Sequence, residues 1–353
     1  MPHQWTRRHI LSGAAASLVA PAAALAQTPG PLLSGIQEIV VSVFDIEHLA
    51  APFMDTGDYT RIDLPDAPKE QWPAWRVPAA CTRIQQTLLK HNSGPAGEGS
   101  IRLVKFHGAP QRVMRSSQRS WDTGCIFDID VLSPDTEAAY RRLQTFGWTA
   151  MGEPVEYRED TIHAIQVVAI GPNGFNLAII NNFPPPDQKR PYKVLSAYGG
   201  GTQMVADLDK ALDFYLKVLG FKTNRRFDIT DQDEPGYDVI GLPRPYAKDA
   251  KRRLAMIGGP PLDDKHRGAG VELIENSSMK GRDFSEHCVA PNVGILCPRI
   301  PVRDARAYAA EVQGRGGKLF TDPMSLEIAP YGRVTAFSIK SPEGALLEFY
   351  SRS

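Results

Sequence analysis

Apolar and polar positions alternate along most of this chain, and the period of the alternation changes at regular intervals. Ile36-Gln37-Glu38-Ile39-Val40-Val41-Ser42-Val43 reads as a strand that runs into Asp45-Ile46-Glu47. Thr202-Gln203-Met204-Val205-Ala206 reads the same way and runs into Asp207-Leu208-Asp209-Lys210. Beyond Asp207, the residues Ala211, Leu212, Phe214, Tyr215, Val218 and Leu219 recur at helical spacing, and Gly220 stops the helix as a C-cap. A second pair of such starts runs from Asp128 to Asp135 and from Cys297 to Asp304, with helices expected over 136–143 and 305–312. A third pair closes each half. There Pro172-Asn173-Gly174 and Pro342-Glu343-Gly344 turn the chain into apolar strands.

These landmarks keep nearly one spacing. Asp45 and Asp207 are 162 residues apart, Asp135 and Asp304 are 169 apart, and Pro172 and Pro342 are 170 apart. The chain is therefore one design used twice. Each half holds two strand–helix starts. The helices are followed by strand-like runs, at 59–64, 83–90 and 100–106 in the first quarter and at 223–229, 252–257 and 270–274 in the third. The reading is an α+β fold of four β-α-β-β-β units paired into two modules, each a curled mixed sheet around a cavity. The modules are expected at 35–183 and 195–353, joined by a Pro-rich linker at 184–194.

Composition narrows the function classes. The 353 residues are 42% hydrophobic and 23% charged, which is ordinary globular usage. Lysine plus arginine number 40 and aspartate plus glutamate 40, so no basic field recommends nucleic acid as a partner. Four cysteines without a Cys-x-x-Cys pair give neither a disulfide scaffold nor a zinc ribbon. The N-terminus carries Arg7-Arg8, a weakly apolar stretch over 13–20 and Ala24-Leu25-Ala26, which together resemble a twin-arginine export signal over residues 1–26. The expected destination is a bacterial periplasm or the cell exterior, and the expected partner on the way is the twin-arginine machinery. The apolar stretch is too short for a stable membrane span.

Asp207-Leu208-Asp209-Lys210-Ala211, Phe214-Tyr215 and Val218-Leu219-Gly220-Phe221 resemble the opening helix of the vicinal oxygen chelate superfamily, and Ser341-Pro342-Glu343-Gly344-Ala345-Leu346-Leu347-Glu348 resembles its closing strand. That superfamily includes glyoxalases, bleomycin-resistance-type binding proteins, epimerases and extradiol dioxygenases. The resemblance implies metal ligands seven residues before each helix-opening aspartate and on the last strand of each unit. In the C-terminal half these positions hold Gly200, Glu272, Cys297 and Glu348; in the N-terminal half they hold Glu38, Arg102, Asp128 and Ala178. The implied metal set is Glu272, Cys297 and Glu348, for one divalent zinc, iron, manganese or nickel ion. Glu348 and Glu272 are also the candidate acid–base groups, with Glu38, Arg102 and Asp128 as secondary cavity residues. The His-His-Glu set of an extradiol dioxygenase is missing, which disfavours ring cleavage.

Two readings stay open for these residues. One is an exported enzyme acting on a small oxygenated molecule, aromatic ones included, by metal-assisted or Glu-based proton transfer of the lyase or isomerase type. The other is a metal-free binding protein, in which the same glutamates accept hydrogen bonds or pair with arginines. Glu38 with Arg102 has the makings of a structural ion pair. His163 falls on a strand whose alternation could turn it inward, and His287 could reach a cavity mouth. A monomer or a homodimer fits two fused modules.

Overall fold

The computed structural model describes residues 36–92, 99–159, 162–183, 192–229, 238–243, 250–258 and 270–352. The expected export signal over residues 1–26 and residues 184–191 of the expected linker lie outside them. The first unit is β1 (Glu38–Ser42), α1 (Ile46–Thr56), β2 (Tyr59–Asp63), β3 (Arg83–His91) and β4 (Ser100–His107). The second is β5 (Asp128–Leu132), α2 (Thr136–Gln144), β6 (Thr149–Ala150), β7 (Val155–Glu159), β8 (Ile162–Ile170) and β9 (Asn176–Asn182). The third is β10 (Gly200–Val205), α3 (Leu208–Leu212), β11 (Lys222–Ile229), β12 (Arg252–Gly258) and β13 (Gly270–Asn276). The fourth is β14 (Gly294–Pro301), α4 (Ala305–Gly314), β15 (Leu319–Ile328), β16 (Gly332–Lys340) and β17 (Leu346–Arg352).

The repeated aspartate has one physical job. Each opening strand becomes a helix at an Asp whose carboxylate accepts the free backbone N–H groups of the first turn. Asp45 accepts from Glu47 and His48, Asp135 from Ala138, Asp207 from Lys210, and Asp304 from Arg306 and Ala307. In the third unit the helix runs on past α3 as a π-helical segment, Asp213–Val218. Gly220 follows it at φ 78, a left-handed conformation that suits glycine.

The four units form two sheets. The first runs β15-β16-β17-β14-β1-β4-β3-β2, and the second runs β11-β12-β13-β10-β5-β9-β8-β6, with β7 paired to β8. The opening strands meet antiparallel at the middle of each sheet, Glu38 opposite Arg299 in one and Asp128 opposite Thr202 in the other. The first quarter therefore pairs with the fourth, and the second with the third. Reading the repeats in chain order had each half building its own cavity; instead both halves contribute to both sheets. The reason lies in the strand edges. Once β5 and β10 have paired, β1 and β14 are the opening strands left with free edges, and joining them covers both.

One face of each sheet packs against the helices. Ile39 and Val41 of β1, Leu49 and Phe53 of α1, Leu143 of α2, Tyr215 and Tyr308 share a single buried core. The other, inner face of each sheet forms a trough. Among the described residues no helix is long and apolar enough to cross a membrane.

Candidate functional site

The two troughs occupy equivalent places and have opposite characters. The inner face of the first sheet is closed. Trp75 is carried into it by the 3₁₀ turn Lys69–Trp75 and packs with Val40, Ile84, Val104, Phe106 and Tyr350. Its indole N–H donates to Glu348 Oε2 at 2.9 Å. Glu348, Arg299, Glu38 and Arg102 then form a string of alternating charge, each residue 0% exposed. Arg299 donates through Nε to Glu348 and through Nη1 to Glu38, the latter at 2.6 Å. Arg102 grips Glu38 at 2.7 and 3.0 Å, and the Tyr331 hydroxyl adds a third donor at 2.7 Å. Burial alone would raise the Glu38 pKa, but Arg102 and Arg299 outweigh it and hold the carboxyl at about 2. Two negative and two positive charges cancel, so the string is electrically closed.

This arrangement separates the expected metal set. Cys297 and Glu348 stand on β14 and β17 of the first sheet, while Glu272 stands on β13 of the second. Glu272 therefore shares no site with the other two. Cys297 lies opposite Val40 inside the apolar packing. Burial, with Glu348 nearby, pushes its thiol well above the usual range. Arg299, two residues on, is the side chain that faces Glu38. With guanidinium groups at two of the positions and both carboxylates already neutralised, the first trough does not fit a metal cation.

The second trough is open. It holds a cavity of about 740 Å³ lined by Asp130, Glu272, Tyr157, Gln166, Met256 and Asn224, among others. Strand pairing explains the gathering of acids. Asp130 faces Gly200, and Asp128 faces Thr202, which in turn faces Glu272 on its other side. Strand alternation puts all of these side chains on one face. The Thr202 hydroxyl donates to Glu272 Oε2 at 3.1 Å, and the Thr202 amide donates to Asp128 at 3.1 Å. A Cβ on residue 200 would sit 2.9 Å from Asp130 Oδ2, so Gly200 gives Asp130 room to lie across the trough floor.

No described lysine or arginine is ion-paired with these three acids, and their protonation reflects it. Burial raises Asp128 to about 6, partly offset by Thr202 and Arg115. Burial, reinforced by the Asp128 charge, raises Glu272 to about 7. Asp130, half-buried, is pushed well above the usual carboxylate range by desolvation and by the charges of Asp128 and Glu272. The three lie close enough that their protonation is shared rather than independent. Tyr157 stays a neutral phenol, raised by burial and by Glu272 and Asp130, and its hydroxyl donates to Gln166 Oε1 at 3.2 Å. Among the described residues no group of three or more His, Cys, Asp or Glu side chains is arranged to hold a metal ion. Ala178 and Gly200 occupy two of the expected ligand positions, so the implied coordination set does not fit here either.

The described histidines considered as candidates stay outside this site. His163 is within 2.7 Å of Glu156 on the opposite face of its strand from Ala164, so it does not turn inward as expected. His287 lies 3.1 Å from the Met114 carbonyl oxygen. The sequence reading missed Asp130, Tyr157 and Gln166. Asp130 was within reach, two residues beyond Asp128 on the same strand. Tyr157 and Gln166 depend on a hairpin register that no short motif fixes.

Comparison with known proteins now has a geometry to meet. Residues 201–349 match the model of the Glyoxalase/Bleomycin resistance protein/Dioxygenase superfamily. The structure is similar to glyoxalase I from Zea mays, at TM-score 0.59 and 15% identity, over 90% of this chain and 92% of that one. A mutant form of that enzyme gives TM-score 0.60 and 16% identity, again over 90% of this chain and 92% of that one. The fold is a glyoxalase fold. A putative dioxygenase from Bacillus subtilis is also similar, at TM-score 0.51 and 13% identity, over 92% of this chain and 86% of that one. No curated protein sequence matches the chain.

Proposed function

We propose that this protein is an exported enzyme with one reactive trough, in the second sheet, where it moves a proton on a small, neutral, oxygenated molecule. One contrast supports the reading. In the first trough the inner-face carboxylates Glu38 and Glu348 are paired with guanidinium groups, whereas in the second Asp130 and Glu272, with Asp128 beside them, have no such partners among the described residues, and Asp130 and Glu272 border an open cavity. Uncompensated buried acids weaken a fold and are kept where chemistry uses them.

The roles follow from the spread of the pKa values. Glu272, raised to about 7, is ionised to a useful extent at neutral pH and serves as the base. It takes a proton from a carbon next to a carbonyl, and the C–H electron pair moves toward the carbonyl oxygen. Asp130, whose surroundings favour the protonated form, is the group placed to donate to that oxygen as its negative charge grows. Tyr157 and Gln166 supply further polar contacts to the substrate. Where the deprotonated carbon bears a hydroxyl, loss of that hydroxyl's proton to the Asp130 carboxylate and return of the first proton from Glu272 to the former carbonyl carbon complete an isomerisation. Where the carbon on its other side bears a leaving group, re-forming the carbonyl with a new C=C bond to that carbon and expulsion of the group complete an elimination. Export through the twin-arginine leader would carry this activity out of the cytoplasm.

The test is deuterium exchange in D₂O, followed by proton NMR over a panel of α-hydroxy ketones, 1,2-diketones and aromatic ketones with α-hydrogens. Exchange should fall about 10²–10⁴-fold in Glu272→Gln. It should persist in chelator-treated protein. Chelator-sensitive exchange restored by zinc, iron, manganese or nickel would replace this mechanism with a metal-assisted one. Stoichiometric ligand binding with no exchange would point to a sequestering protein of the same fold.

A further inference from the structure

The acidic cavity has a far wall that the proton transfer does not use. Across its floor Gly200, Gly270 and Gly258 stand side by side on β10, β13 and β12. The row spans two inter-strand spacings, about 10 Å. At one end the Asp130 carboxyl lies against Gly200, its Oδ2 2.9 Å from the place a Cβ would take. At the other end the Asn224 amide nitrogen comes within 3.4 Å of the Cβ position on Gly258. Asp130 and Asn224 both border the cavity, the first half-buried and the second exposed, so each offers surface to a molecule inside.

Asn224 owes its place to an irregularity in the β11–β12 hairpin. The pairing sets Lys222 against Gly258 and Thr223 against Ile257, then resumes with Arg225 against Met256. Asn224 is the residue left over. Such a bulge releases a side chain from the ladder and re-aims it. The Asn224 side chain makes no hydrogen bond among the described residues, so its donor and acceptor are available to a ligand. Between the two polar ends the lining is apolar. Met256 stands opposite Glu272 on the neighbouring strand, and Ile180 faces the same space; both are half-buried.

We propose that Asn224 is a specificity-determining residue of this cavity, and that the substrate is a flat aromatic ketone with a hydroxyl on the ring carbon opposite the ketone. The proposal rests on the proton-transfer reading of the site. The ketone oxygen meets Asp130, its α-hydrogen faces Glu272, and the ring lies along the glycine row, where no side chain holds it off the backbone. The ring hydroxyl then reaches the Asn224 amide. Met256 covers the ring with a thioether, a favourable contact for an aromatic surface. A carboxylate in place of the hydroxyl would bring a further negative charge into a space that already holds Asp130 and Glu272.

The experiment is a titration of the full chain with 4′-hydroxyacetophenone and with 4′-methylacetophenone, a control of similar shape without the hydroxyl, read from the ligands' proton NMR signals. The hydroxyl compound should bind about three- to tenfold more tightly, the effect of one neutral hydrogen bond. Asn224→Ala should abolish that preference and leave the affinity for 4′-methylacetophenone unchanged. In deuterium exchange the same variant should raise the half-saturating concentration of 4′-hydroxyacetophenone and leave the maximal rate as it was. Glu272→Gln should keep the binding preference while losing exchange. Exchange without the preference overturns this inference alone, and the preference without exchange overturns the proton-transfer reading alone. Equal binding of the two ketones, a preference that survives in Asn224→Ala, or no binding of either would overturn the role of Asn224.

Discussion

Glu272 and Glu348 have the same side chain on comparable strands and meet opposite surroundings. Glu348 has an arginine and an indole N–H as partners. Glu272 has a threonine hydroxyl and the charge of Asp128. The pH dependence of stability should report this difference. Glu272 has a folded pKa of about 7 against an ordinary value of 4.5, so the folded state holds its proton more tightly than the unfolded chain. Its stabilising effect is complete below about 4.5 and is lost as the pH rises through about 7. Glu272→Gln should remove on the order of 2 kcal/mol of that loss, measured as urea-unfolding free energy at pH 5 and pH 8. Glu38 has the reverse sign. Held at about 2, it contributes stability above 4.5 that disappears as the pH falls through about 2. Arg299→Leu should leave Glu38 and Glu348 short of a partner and cost about 3–5 kcal/mol in the same measurement. The sequence showed that Glu38 and Arg102 could pair. It did not show that Arg299 would join them, because the seven-residue spacing from Asp304 picks out Cys297. Only the pairing across to β1 shows that residue 299 is the one opposite Glu38.

At the scale of the element, the four aspartate starts were the most legible feature, because a cap is a local matter. Each Asp satisfies amides two or three residues ahead, whatever the rest of the fold does. Asp304→Ala should therefore destabilise the protein by about 1 kcal/mol, with Asp304→Asn close to wild type in thermal unfolding. Strands were legible as strands for the same reason, since alternation is local. Their partners were not. Tyr157 reaches the trough because Val155–Glu159 folds back on Ile162–Ile170 in a register that sets Tyr157 against Ala164. A shift of one residue would have sent it to the other face, and no residue in the hairpin announces which register wins.

At the scale of the whole molecule, the 162-, 169- and 170-residue spacings establish repetition but carry no information about which unit sits beside which. The pairing of first with fourth and second with third decides the chemistry. It places Glu272 beside Asp128 rather than beside Glu348. It also makes the halves interdependent. Residues 35–183 or 195–353 expressed alone would leave β1, β5, β10 or β14 with an uncovered edge. Each half alone should run as an oligomer or aggregate in size-exclusion chromatography, and co-expression should restore a species of the size of the intact chain. Independent folding of either half as a monomer would contradict the edge argument.

The same pairing sets a timetable for the nascent chain on the ribosome. The sheet that bears the acidic cavity is complete once β13 has emerged at Asn276, while β1 to β4 wait for strands that end at Arg352. The Glu348–Arg299–Glu38–Arg102 string closes only when the last few residues have been made. A chain that terminates before Glu348 leaves Arg299 half-neutralised in an apolar trough. The link between β1 and β17 thus acts as a check that every strand of the first sheet has been made.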